Sequence, residues 1–263
     1  MFDDDRPAPA RVIHALGLQK KVNLLSGTKM SGVNQLESML ESNVAIAAEV
    51  DPRVIKIECQ PVTFDLNTGR EYAAKQDLVS TGHDRGYKPW VYTPDFRFTL
   101  RDGSTIFVEG KGTRWLGRHE DFPQVIAAVR GLGHRIEMVT EGLFPDTLVR
   151  NLRLLKPHVG STECMPEWSR EPVAADHPLP ARRLLEATSL TQRHLFLGLL
   201  RGIFSCDLAV VPLGPKALIH FGNGDCQRRR KNRPRGGAKL GQLSVHVVEC
   251  GERVAPRQTR SSH

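Results

Sequence analysis

Four side chains in this sequence are of types that can together hold a divalent cation and handle a proton: Glu41, Asp95 directly after Pro94, and Glu109 with Lys111 two residues on. Breaking a phosphodiester needs such a set. It requires a cation to offset charge on the phosphate oxygens, an activated water, and a donor near the developing oxyanion. Hard Mg²⁺ prefers carboxylate and carbonyl oxygens and keeps waters that can become nucleophiles, and Mn²⁺ accepts the same ligands. Asp95, Glu109 and the Gly110 carbonyl are candidate metal ligands. Lys111, on the same strand face as Glu109, can orient or deprotonate the attacking water. Glu41 completes the metal shell if its helix lies across the sheet. Glu37, one turn earlier, is an alternative ligand that helix-face position alone does not separate from Glu41. Such a motif also arises by accident, leaving Asp95 as a strand opener and Lys111 as a solvated cation, so the elements around it decide its weight.

The elements that must position these residues begin with two alternating arms, residues 95–100 and 104–111, on either side of Arg101-Asp102-Gly103; Asp-Gly is a hairpin signal. Register decides what the hairpin presents. A two-residue loop pairs Arg101 with Ser104 and turns Glu109 away from Asp95. A three-residue loop with Gly103 in the left-handed conformation pairs Asp95 with Glu109, and it is the expected one. Asp95, Glu109 and Lys111 then share one face, and Phe96, Phe98, Leu100, Ile106 and Val108 the other. Upstream, Val33, Leu36, Leu40, Val44 and Ala47 recur at helical spacing, which predicts a helix over 31–49 capped by Ser31 and stopped at Asp51-Pro52. Residues 54–64 read as one or two strands with an edge or bulge at Pro61, and a polar connection leads to Trp90. Asp121 can cap a helix running to Gly131 or Gly133, and 136–140 reads as a further strand. The predicted fold is α/β, a mixed sheet flanked by helices.

Prolines 157, 166, 172, 178 and 180 mark residues 157–180 as a linker. Helices over 182–188 and 190–204, followed by a hairpin over 207–221 turning at Gly214-Pro215, predict a small winged-helix-like α+β domain at 181–224. The chain carries 37 Lys and Arg against 29 Asp and Glu, but the whole surplus falls after residue 225, and the first 225 residues are neutral in sum. Residues 225–263 are therefore expected to be a basic, disordered tail with a weak strand at 243–248; its arginines can bind phosphate or simply keep the chain soluble. Five scattered cysteines form no C-x-x-C pair, and the histidines form no H-E-x-x-H, so a disulfide framework and a zinc hydrolase are not indicated. An acidic start and no stretch approaching the ~20 apolar residues of a membrane span predict a cytoplasmic protein without a membrane partner.

The order Glu41…Pro94-Asp95…Glu109-x-Lys111 is the layout of the PD-(D/E)xK nucleases, whose fold is restriction-endonuclease-like. A longer series covers residues 25–155: Glu37-Ser-Met-Leu-Glu41, Asp51-Pro-Arg-Val, Gln60-Pro61, Tyr92-Thr-Pro-Asp95-Phe, Val108-Glu109-Gly-Lys111 and Val139-Thr-Glu141. It resembles the N-terminal domain of TnsA, the endonuclease subunit of heteromeric transposases. The resemblance implies a nuclease domain at 25–156 behind an N-terminal arm at 1–24. It also implies a catalytic Glu at Glu41, favoured over Glu37 by its spacing to Asp51-Pro52, metal ligands at Asp95 and Glu109, and a catalytic Lys at Lys111. Some relatives carry Gln in place of Glu109, and the basic tail departs from the family pattern. The implied activity is Mg²⁺-dependent nicking of the 5′ ends of a transposon in double-stranded DNA. The implied partners are a DDE-type transposase subunit and an AAA+ ATPase regulator that the C-terminal domain contacts. The alternatives are a stand-alone phage or defence nuclease or junction resolvase, and a non-catalytic DNA-binding assembly module.

Overall fold

A computed structural model describes residues 23–84, 86–168 and 178–221. Most of the expected N-terminal arm, the middle of the Pro-rich stretch and the basic tail with its strand at 243–248 lie outside the described residues.

Strand β1 (Asn23–Leu25) pairs antiparallel with β2 (Asn34–Leu36), and helix α1 (Met39–Val50) follows. The helix expected from residue 31 thus starts eight residues later. Val33 and Leu36 satisfy a helical period, but the 34–36 backbone is claimed by pairing with β1. Ser38, and not Ser31, is the cap. Its hydroxyl accepts from the Glu41 N–H at 3.0 Å, and the Glu41 carboxylate turns back to accept from the Glu37 N–H and the Ser38 hydroxyl, an arrangement that residue 31, with Asn34 three positions on, does not form. At the other end Lys29 Nζ donates to the carbonyls of Ala48 (3.1 Å) and Asp51 (2.6 Å), placing a cation where the last carbonyls have no helical partner. The stop at Asp51 stands as expected.

Next come β3 (Val54–Cys59) and β4 (Thr63–Asp65), separated at Gln60-Pro61. The connection read as merely polar holds β5 (Arg70–Tyr72), α2 (Lys75–Asp84) and β6 (Val91–Tyr92), and β5-β4-β6 form a small antiparallel sheet. Then follow β7 (Phe96–Leu100), β8 (Thr105–Gly110), a short helix α3 (Thr113–Leu116), α4 (Phe122–Gly131) and β9 (Ile136–Val139). The central sheet is mixed, in the order β3-β7-β8-β9, antiparallel except for the β8–β9 pair, which is joined through α4. Phe96 pairs with Val108 and Phe98 with Ile106, which is the register of the three-residue loop. Gly103 has φ +85° and its N–H donates to the Leu100 carbonyl. Only a residue at ease with φ > 0 closes this loop.

Both faces of the sheet are buried. Phe96, Phe98, Ile106 and Val108 pack under α1 and α5 (Asp146–Leu155), while Phe107 and Ile136 pack with Phe64, Tyr92 and α4 residues Phe122, Ile126 and Val129. Each fully buried Phe contributes about 2 kcal/mol of transfer free energy.

The C-terminal segment comprises β10 (Leu179–Pro180), α6 (Ala181–Ala187), α7 (Gln192–Leu200), β11 (Phe204–Ser205) and β12 (Leu218–Phe221), with β12 central in a three-stranded sheet. The expected hairpin over 207–221 is replaced by β11 pairing with β12 across an irregular 206–217 connection. That connection is held by α5. Asn151, fully buried, donates to the Leu208 and Val211 carbonyls and accepts from the Leu213 N–H, each at 2.8 Å. One apolar cluster runs through α1, α5, α6 and α7, and α7 is buried over residues 195–199. No helix of the described residues is long and apolar enough to cross a membrane.

Candidate active site

The site is assembled where β7 begins and β8 ends. Asp95 stands opposite Glu109 in the ladder register, and the two residues are bonded to each other: the Asp95 N–H donates to Glu109 Oε2 at 3.1 Å. Asp95 Oδ2 accepts from the Gly110 N–H at 2.9 Å. Lys111 continues the β8–β9 ladder, its N–H bonded to the Val139 carbonyl. Its ammonium bridges the carboxylates, 2.5 Å from Glu109 Oε1 and 3.4 Å from Asp95 Oδ2.

Glu41 reaches this end of the sheet from the first turn of α1, where Leu40 lies over Gly110: a Cβ on Gly110 would stand 3.5 Å from Leu40 Cγ. Both Glu41 oxygens are engaged locally, Oε2 accepting from the Glu37 N–H (2.8 Å) and Oε1 from the Ser38 hydroxyl (2.9 Å). Asp95, Glu109, Gly110 and Lys111 are therefore in mutual contact, and Glu41 stands beside them with its oxygens turned to its own helix cap. Glu37 bears on Asp95 through its charge. Gln60 donates its N–H to the Asp95 carbonyl at 2.8 Å and holds φ +45°, a strained conformation for a side-chain-bearing residue. It is the point where the chain leaves β3, directly beside Asp95.

The electrostatics follow from burial. Glu109 is 2% exposed, and desolvation followed by the Asp95 charge pushes its carboxyl up to about 7. Burial also raises Asp95, with Lys111 pulling the other way. Glu41 is raised by burial and then by Asp95. Burial works against the Lys111 ammonium, yet Asp95 and Glu109 outweigh it and hold the group above its ordinary value. Three carboxyl groups thus share one ammonium and repel each other, and added positive charge would relieve that repulsion.

Among the described residues no three His, Cys, Asp or Glu side chains form a ready metal cage, and the Glu41 oxygens are turned to the start of α1. Two adjacent carboxylates suit Mg²⁺ nonetheless, since that ion is usually held by one or two carboxylates and keeps several waters. Oxygen donors without thiol or imidazole also favour a hard cation. The donor set fits.

Three neighbours were not singled out as site residues by the sequence. The Tyr92 hydroxyl donates to Glu109 Oε2 at 2.8 Å. Trp115 lies beside Lys111, its ring centroid 5.7 Å from Nζ, and is stacked by His119 with centroids 3.8 Å apart. Glu141 accepts from the Thr113 N–H at 3.1 and 2.9 Å and from the Thr113 hydroxyl, anchoring the turn after Lys111 to the end of β9. Tyr92 and Glu141 fall within the motif series, but spacing gives neither a partner. A cleft of about 530 Å³ between α6, α7 and Gly214-Pro215 is lined by none of the site residues.

No protein-family model matches the chain, and no curated protein matches it in sequence.

Proposed function

We propose that the chain is a metal-dependent DNA endonuclease of the PD-(D/E)xK type, nicking the 5′ ends of a transposon as the TnsA-like subunit of a heteromeric transposase. The observation that carries the reading is the contact of the Lys111 ammonium with both Asp95 and Glu109 at one end of a mixed sheet. The α-β-β-β-α-β order of α1, β3, β7, β8, α4 and β9 supports the restriction-endonuclease-like fold. Two helices followed by a small sheet support the winged-helix-like reading of the C-terminal segment.

Asp95 and Glu109, with the Gly110 carbonyl, hold the cation, Mg²⁺ or in its place Mn²⁺. When bound, that ion offsets phosphate charge and acidifies a water. Lys111, fixed by the ladder bond to Val139 and by Trp115, orients the attacking water and donates to the phosphate oxygen on which charge develops. Glu41 adds negative charge beside the pair and secures the start of α1. The neutral sum of the first 225 residues supports a subunit placed on double-stranded DNA by its partners, a DDE-type transposase and an AAA+ regulator, more than by a basic face of its own.

The test is nicking of supercoiled DNA by the full chain with Mg²⁺, alone and with a DDE-type transposase and AAA+ ATPase encoded beside it. Nicking that appears at transposon ends only with those partners supports the subunit reading. Equal unaided cleavage favours a stand-alone nuclease, and no Mg²⁺ binding dependent on Asp95 and Glu109 favours an inert assembly module.

A further inference from the structure

Glu109 presents its two oxygens to unlike surroundings. Oε2 accepts from two donors, the Tyr92 hydroxyl at 2.8 Å and the Asp95 N–H at 3.1 Å, whereas Oε1 meets the Lys111 ammonium. A carboxylate oxygen has two lone-pair sites, so Oε2 is filled and Oε1 is not. The hydroxyl that fills it is held rigidly. Tyr92 is 7% exposed, its ring contacts Phe64 (centroids 6.5 Å apart) and Phe122 (6.4 Å), and its backbone pairs with Phe64 across the small sheet. A second sheet thus reaches over and occupies one oxygen of a residue on the first.

We propose that Tyr92 sets the metal selectivity of the site by confining Glu109 to one-oxygen ligation through Oε1. This rests on the metal-dependent reading above. Small octahedral cations such as Mg²⁺ and Mn²⁺ need a single oxygen from each carboxylate. Ca²⁺ takes six to eight oxygens at longer distance and gains from carboxylates that give both. With Oε2 closed, Ca²⁺ loses a ligand that Mg²⁺ never uses. Tyr92 is accordingly a positioning residue, acting on the ion through Glu109, as outer partners of metal ligands do.

The experiment is calorimetric titration of the full chain with Mg²⁺, Mn²⁺ and Ca²⁺ alone, without DNA, for wild type and Tyr92→Phe. Phenylalanine keeps the ring and its packing and removes only the donor. The expected result is a rise of at least about threefold in Ca²⁺ affinity relative to Mg²⁺, with the melting temperature nearly unchanged. An unaltered Ca²⁺ to Mg²⁺ ratio in a folded variant overturns the proposal. A measurement on wild type alone guards against a variant that fails to fold. In the Ca²⁺-minus-apo infrared difference spectrum the carboxylate stretching bands keep the wide splitting of one-oxygen ligation, and the narrow splitting of two-oxygen ligation overturns the proposal equally. Wild type that binds none of the three ions, or binds them undiminished in Asp95→Asn, removes the metal-dependent reading itself, an outcome distinct from either of these.

Discussion

Glu41 is asked to do two things with one carboxylate. It ties down the start of α1 by accepting from the Ser38 hydroxyl and the Glu37 N–H, and it contributes charge beside Asp95. Its two duties separate by substitution. Glu41→Gln keeps one of the two acceptor oxygens at the third helical position, so it should cost less stability than the alanine variant while Mg²⁺-dependent nicking falls at least tenfold. Glu41→Ala should lose both, costing about 1 kcal/mol as well. Thermal denaturation and a nicking assay on the same preparations read the two effects. Lys111→Ala should remove nicking by at least about a hundredfold, the order seen when a transition-state donor is lost. Lys111→Arg should not restore it, since a planar fork cannot occupy the point position between Glu109 Oε1 and Asp95 Oδ2. Wild-type rates in either variant would remove Lys111 from the mechanism. Asp95, Glu109 and Lys111 were legible as a set because alternation along two strands and one loop fixes their common face. The Tyr92 bond to Glu109 was not, because it joins two sheets, and no local period encodes a contact between sheets.

At the scale of elements, the hairpin was readable and its neighbours less so. Asp102-Gly103 allows two loops, the left-handed Gly103 closes the three-residue one, and that loop fixes the register. The start of α1 was misplaced because the residues before it are taken by β1, a partner with no helical or strand period of its own. The β5-β4-β6 sheet was missed because its strands are two or three residues long, and α2 buries only one large apolar side chain, Leu78, among the residues before 81. The central sheet offers its own test in the pair Glu58–Arg97, directly opposed on β3 and β7 and bonded at 2.9 and 3.0 Å. The Arg97 hydrogen bonds hold the Glu58 carboxyl below its ordinary value, burial opposing and Lys56 assisting. A depressed carboxyl stabilises the fold above its unfolded pKa, near 4.3, and loses that contribution as pH falls through the lower folded value. Glu58→Gln should therefore cost about 0.5 kcal/mol at pH 7, and the difference from wild type should shrink below pH 4. A denaturant series at pH 7 and pH 3.5 checks this. A gap that widens in acid would contradict the sign.

The molecule as a whole is knit across its two halves. The apolar cluster beneath α1 and α5 continues into α6 and α7, and Asn151 on α5 satisfies three backbone groups of the 206–213 loop. Asn151→Ala strands those groups without water, at about 1 kcal/mol or more each, so a loss of about 3 kcal/mol is expected. It should shift one common unfolding transition instead of splitting it in two, as followed by circular dichroism and by thiol labelling together. Cys206 is the internal reporter, buried in the shared core with burial pushing its thiol up to about 11, whereas Cys164 is exposed. Peptide mass analysis after alkylation should find Cys164 modified in the native protein and Cys206 only on global unfolding. Labelling of Cys206 ahead of loss of the helical signal would show that the halves open separately.

The Asn151 contacts also constrain how such a chain can change over time. A body and a trailing segment that met only through a tether would be free to trade partners by gene fusion, each arriving with its own interior complete. Here a foreign trailing segment would have to supply two carbonyls and an amide at matching positions, or else bring a different residue at 151. Exchange of the trailing half is thereby discouraged, and inheritance of the two as a unit is favoured.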